Sequence, residues 1–268
     1  MATVYVDSWA DFLDAIQVSG DDVILPENEV WDMNDIAPEG VGSLPTILCS
    51  SIDGRGTEIR NLHTDGRFYS DSHVLQNVSD LHFTNFILGG SSLFETWHNT
   101  RDGVITFTGC KFSGLCGTQT KGVLLPGIGN YGDDYGVIRA DRCSFVVDAQ
   151  RTGYFYAARD MRYCRVHVAV PNGYLQMSAP QWSYLRIDQP TTTALLSYGA
   201  LACVFDGEMG NVISAGEPAS TYPSIFCSDS IPGLASTDHL IGVTRQQLYQ
   251  PEYLASIGFP IGYDPPEE

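Results

Sequence analysis

Short apolar-x-apolar units recur along the chain at Phe86-x-Leu88, Cys110-x-Phe112, Cys143-x-Phe145, Cys164-x-Val166, Leu185-x-Ile187, Cys203-x-Phe205 and Ile225-x-Cys227. Their first members lie 24, 33, 21, 21, 18 and 22 residues apart. An amphipathic helix returns its apolar face every three or four residues, whereas these units alternate strictly and are bounded by Gly, Asn, Asp and Ser, so they read as strands. A second strand pattern follows a glycine at Gly103, Gly136, Gly153 and Gly173. A repeat of this length, with two or three short strands and almost no helical pattern, is too tight for a strand-helix-strand unit and fits one coil of a parallel solenoid. Val23-x-Leu25 and Ile47-x-Cys49 extend the series upstream.

Stacked coils place equivalent residues about 4.8 Å apart. Cys110, Cys143, Cys164 and Cys203 then form an inward ladder interrupted by Leu185, in which cysteine acts as a small hydrophobe. That spacing slightly exceeds the Cβ separation of a disulfide, about 3.5–4.5 Å, and predicts free, inert thiols. The seven cysteines show no C-x2-C pair, and the six histidines show no ligand spacing, so no metal site is expected.

A solenoid must cover its ends. Ser8 is placed to cap a helix over "WADFLDAI", with Trp9, Phe12, Leu13 and Ile16 on one face. Near the C-terminus, Thr244 can cap a helical stretch that ends at Gly258. The expected division is an N-terminal strand and helix cap over 1–20, a parallel β-helix over 21–235, and a C-terminal helical segment with an acidic tail over 236–268. Leu248, Tyr253, Leu254, Ile257 and Phe259 give that last segment an apolar face, which must fold back on the final coil or meet a symmetry mate. The oligomer expected from the second alternative is a homotrimer.

The formal net charge is -18, with two lysines against twelve arginines. Nucleic acid and anionic membranes are therefore poor partners. No run of eighteen apolar residues occurs, and "MATVYVDSWA" lacks the basic start and apolar centre of a signal peptide.

The helix cap followed by coils such as "ITFTGCKFSG", "VIRADRCSFVVD" and "YLRIDQ" resembles the pectate-lyase-like right-handed parallel β-helix proteins, over roughly Thr3 to Ser230. The closing "YLASIGFPI" resembles the ends of β-helix proteins from phage and prophage structural clusters. The resemblance implies an all-β chain, a single right-handed parallel β-helix of about eight to ten coils. It further implies a virion structural protein of a tailed phage, made in the host cytoplasm with its cysteines reduced. Such a capsid decoration, fibre or spike component meets other virion proteins, forms a homotrimer and engages host-surface glycan. The rival is a polysaccharide lyase or glycoside hydrolase of the same class, a tailspike depolymerase. The reading favours the non-enzymatic role.

Two places are candidates for binding. Alternation sends Tyr163, Arg165 and His167 outward on one coil and Tyr184 and Arg186 outward on the next, with Trp182 a step behind. Lys111, Arg142 and Ser144 join the same face, giving a basic and aromatic stripe that reads as a solvated face with its own salt bridges, as a subunit or virion contact, since these residue types are enriched in binding hot spots, or as a surface for glycan stacking. Arg165 and Arg186 are expected on neighbouring rungs and in need of carboxylates, from Asp160, Asp188 or a second subunit. The other place is the loop "GIGNYGDDYG", where Asp133 and Asp134 stand between Tyr131 and Tyr135. It offers a sugar site, oxygen ligands for Ca2+, or, in an enzyme, half of an acid pair completed by Glu95, Asp102 or Asp141.

Overall fold

The computed structural model describes residues 2–70, 74–89, 93–96, 104–116, 121–123, 137–149, 154–156, 160–169, 174–177, 179–187, 193–196, 200–208, 211–214, 222–231, 234 and 236–260. The protein is mostly β, with long parallel sheets in a solenoid-like arrangement. The chain visits the sheets in rotation. Val104–Thr108 lies in the first sheet, Lys111–Cys116 in the second and Lys121–Val123 in another, and Val137–Asp141 then returns to the first, in parallel register with Val104–Thr108. The same cycle carries the chain through Ser144–Ala149 and Tyr154–Tyr156, and through Asp160–Arg162, Arg165–Ala169 and Tyr174–Met177.

Along much of the first two sheets one face of the strands turns inward. In the second sheet Phe83, Phe112, Phe145, Val166, Leu185 and Phe205 stand in register and are buried. The Phe83 and Phe112 rings stack with centroids 5.9 Å apart, and Phe112 and Phe145 at 5.5 Å. Ile52, Val78, Phe107, Ala140 and Met161 form the facing row of the first sheet.

The cysteine ladder is present, in a corrected register. Ser144, Arg165, Tyr184, Val204 and Ile225 donate their amides to the carbonyls of Cys110, Cys143, Cys164, Ser183 and Cys203, so these five carbonyl residues are equivalent. Ser183, not Leu185, interrupts the ladder, and its hydroxyl accepts the Cys164 amide at 3.1 Å. Ser224, not Ile225, continues it, by the same bond to Cys203. On the N-terminal side Leu81 takes the position expected for Phe86, because Lys111 donates to the Leu81 carbonyl and a register shift separates Phe83 from Phe86. Val23 and Ile47 belong to other sheets altogether.

Cys49, Cys110, Cys143, Cys164, Cys203 and Cys227 are free and buried. Burial pushes the Cys49 and Cys203 thiols up to about 12. The bond from Cys110 raises Cys143, and the bond from Cys143 together with burial raises Cys164. Since the reagent must reach the sulfur and the thiolate is the reactive species, and all six are buried, iodoacetamide at pH 8 should leave them unlabelled in the native protein and modify them in guanidinium. Peptide mapping that finds any of them alkylated at the rate of an exposed thiol contradicts this reading.

Both ends are covered from within the chain. Ser8 accepts the Asp11 amide at 3.2 Å and starts the helix Trp9–Ala15, which buries Trp9, Phe12 and Ala15, with Ile16 buried at its end. The second sheet runs past the expected boundary at 235 and closes with Leu240–Val243. A capping box then joins Thr244 and Gln247, and Pro251 splits the helical stretch in two, Arg245–Leu248 and Pro251–Ser256. Leu248, Leu254 and Phe259 are buried in one cluster with Ala202, Val204, Ile225 and Val243, with Tyr253 and Ile257 packed against it. The apolar face considered for oligomer contact is therefore used within the chain, where it covers the outward side chains Val204 and Ile225.

Candidate functional site: an aromatic column on a left-handed corner

From the coil of Asn77–Ser79 to that of Val204–Asp206, the chain turns into the second sheet through a single left-handed residue, which is Gly109 (φ 66°) on one of these coils. At Asp80, Arg142, Tyr163, Trp182 and Ala202 this residue has φ of 44°, 52°, 52°, 51° and 51°. Each of the first four donates its amide to a carbonyl of the following coil; Tyr163, for example, donates to Gln181 at 3.1 Å and Trp182 to Leu201 at 2.8 Å. The left-handed conformation lets the chain turn sharply while the next residue, the ladder position, points inward. Corner side chains consequently stack outside the solenoid.

Arg142, Tyr163 and Trp182 occupy three successive corners. Their rings and charge are in contact: the Tyr163 and Trp182 rings stack at 6.2 Å and 26°, and the Arg142 guanidinium carbon lies 5.8 Å from the Tyr163 ring centre. Tyr222 meets Trp182 edge-on at 5.6 Å and extends the column. Tyr163 is 54% exposed and Tyr222 39%, an unusual presentation for large rings that already contact one another. Arg142 is anchored sideways by Asp141, Nη1 to Oδ2 at 3.5 Å, while the buried Oδ1 of Asp141 has no hydrogen-bond partner.

Beside the column runs a second outward row, in which Lys111, Ser144, Arg165 and Tyr184 stand in register. The next row places His167 against Arg186 and Arg186 against Asp206. The expectation that Arg165 and Arg186 face each other is thereby corrected. The two-residue slip at Ser183 sets Tyr163 beside Trp182 and Arg165 beside Tyr184 instead.

Tyr184 is tied into a buried charge cluster. Its hydroxyl donates to Asp206 Oδ2 at 2.7 Å, and Arg245 grips the same carboxylate with Nη2 to Oδ1 at 2.8 Å and Nη1 to Oδ2 at 3.3 Å. The Gly207 amide adds a bond of 2.8 Å. Asp206 is 1% exposed. Burial alone drives its pKa up, but the Tyr184 hydroxyl, the Gly207 amide and Arg245 together outweigh it and hold the carboxyl below its ordinary value. Burial and the Asp206 bond push the Tyr184 phenol up. This cluster clamps the C-terminal helices to the solenoid.

Of the residues singled out from sequence, Tyr163 and Arg165 are exposed as expected, and Trp182, Tyr184 and Arg186 are partly buried. Tyr131, Asp133, Asp134, Tyr135, Asp102 and Asp188 lie outside the described residues. Sequence reasoning missed Tyr222, Asp206 and Arg245. Tyr222 carried a readable sign, since it stands two residues before the ladder position Ser224, next to Pro223, which cannot adopt the corner conformation. The chain matches no protein-family model, no curated protein and no solved structure.

Proposed function

We propose that this chain is a single right-handed parallel β-helix that serves as a surface component of a tailed-phage particle and binds host-surface glycan. Placement on the particle rests on the resemblance carried by the coils and by "YLASIGFPI". The observation that carries binding is the column of Arg142, Tyr163, Trp182 and Tyr222, in which Tyr163 and Tyr222 are exposed. Flat rings held in contact on rigid backbone offer a stacking surface with little conformational entropy left to lose, which is what favours sugar faces over solvent. The homotrimer and the contacts with other virion proteins fall, in this reading, to the sides of the solenoid, because the C-terminal apolar face is filled.

On an array of bacterial capsule and cell-wall polysaccharides, the wild-type chain should be retained by at least one glycan. Tyr163→Ala should bind that glycan about 30-fold more weakly, the loss expected for an aromatic hot spot of about 2 kcal/mol. Tyr163 is the side chain to remove, because Trp182 also packs on the C-terminal cluster. Mass spectrometry of purified particles tests the placement, and failure to find the chain there rejects it. Reducing ends or unsaturated sugars released from the retained glycan would replace this reading with the lyase or hydrolase.

A further inference from the structure

We infer that the glycan taken by this column is anionic, and that its acid group is held on the neighbouring row by Lys111, Ser144 and Arg165. The inference rests on the glycan reading above and adds the ligand's charge and its seat.

Cations on a chain of net charge -18 should find carboxylates easily, and several do. Arg55 pairs with Glu27 at 2.9 Å, Arg60 with Glu58 at 3.0 Å, Arg142 with Asp141 at 3.5 Å and Arg245 with Asp206 at 2.8 Å. Among the described residues Lys111 and Arg165 make no such pair, although both are exposed. Ser144 stands between them, one rung from each. At the parallel-strand spacing the two cations are about 10 Å apart at the backbone, with a hydroxyl midway. Long side chains from both sides can converge on one anion there, and Ser144 can donate to it.

The row is bounded. Toward the N-terminus the next rung is His82, and toward the C-terminus it is Tyr184, whose hydroxyl is already committed to Asp206. The seat also adjoins the column on the coils of Ser144 and Arg165. Arg142 and Ser144 flank Cys143, and Tyr163 and Arg165 flank Cys164, with both cysteines pointing inward. A ring stacked on Tyr163 thus carries an acidic substituent directly over the cationic row. Carboxylate, sulfate and phosphate esters share the chemistry that this row reads.

Calorimetric titration of the full chain with size-matched linear oligosaccharides tests the assignment, using one neutral, one uronic-acid, one sulfated and one phosphorylated series. At least one acidic series should bind ten-fold or more tighter than the neutral one, and the preferred series identifies the acid. In the Lys111→Gln/Arg165→Gln double variant that preference should vanish while the neutral oligomer binds as before. The unfolding midpoint should not move, because both side chains are exposed. Neutral and acidic series of equal affinity, unchanged in the double variant, overturn this inference and leave the glycan reading standing. If no series binds, or if Tyr163→Ala leaves acidic binding intact, the glycan reading itself fails. Polyglutamate binding as tightly as the best acidic oligosaccharide would assign the row to an acidic protein segment, and overturn the inference.

Discussion

Phe112→Ala lowers the unfolding free energy by about 3–5 kcal/mol, measured as a shift of the urea midpoint. Phe112 is 1% exposed and lies between the parallel rings of Phe83 and Phe145, with Phe94 and Phe107 edge-on to it. Its strand is hydrogen-bonded on both sides, to His82–Leu88 and to Ser144–Ala149, so the walls of the new cavity cannot close in. The loss then stays near the upper end of the range for aromatic truncations. Val146→Ala, on an outward position of the adjoining strand with 42% exposure, provides the contrast and should shift stability by no more than about 0.5 kcal/mol. A Phe112→Ala loss below about 1 kcal/mol would mean that the stacked row is not a close-packed core.

Arg245→Met should release the C-terminal helices and destabilise the protein by about 2–4 kcal/mol. Breaking a buried ion pair from one side costs about 3–5 kcal/mol, and Arg245, at 38% exposure, recovers part of its hydration when unpaired. The apolar cluster beneath these helices is distinct from the main core. Hydrogen exchange should therefore accelerate over 244–259 while the amides of the cysteine ladder stay protected, a pattern expected of separate cooperative units. Acid provides an independent check. The Asp206 pKa is lower in the folded state, so its contribution is present above the unfolded carboxyl value of about 3.9 and is lost as pH falls through the folded value. Wild type should loosen over 244–259 below about pH 4, and Asp206→Asn should already be loose at neutral pH and insensitive to that acidification. Equal exchange throughout the chain in Arg245→Met would show that the segment and the solenoid unfold as one.

The parallel solenoid-like fold is legible because each coil leaves a local mark, a turn followed by a small residue and then an alternating strand. Cys110-x-Phe112, Cys143-x-Phe145 and Cys203-x-Phe205 carry that mark in full and fall into true register. Where serine replaces cysteine, the apolar alternation begins later. Leu185 and Ile225 then imitate the ladder, two residues and one residue late. The corrected positions Cys143, Cys164, Ser183, Cys203 and Ser224 are 21, 19, 20 and 21 residues apart, a more even rhythm than apolar character alone suggests. The strand His82–Leu88 pairs with the next coil on both sides of a register shift, and pattern alone does not say that Phe83, rather than Leu88, stands opposite Phe112. Both caps are readable, since Ser8 and Thr244 act within a few residues of sequence. The clamp is not, because Asp206 and Arg245 are 39 residues apart and each resembles an ordinary surface charge. The exposed position of Tyr163 follows from alternation, but its partner does not, since ring contact depends on a register that the serine obscures.

The left-handed corner has a consequence for how this protein can change. A side chain in that conformation is less stable than glycine by about 1–2 kcal/mol, yet Arg142, Tyr163, Trp182 and Ala202 all accept it. Glycine at Tyr163 would ease the backbone and remove a ring that the core never touches. Adjacent positions in one coil thus answer to separate pressures: the ladder residue to interior volume, and the corner residue to whatever lies outside. Exchanging the outer residue alone rewrites the surface one coil at a time, so the outer face of such a solenoid can change while its interior stays the same.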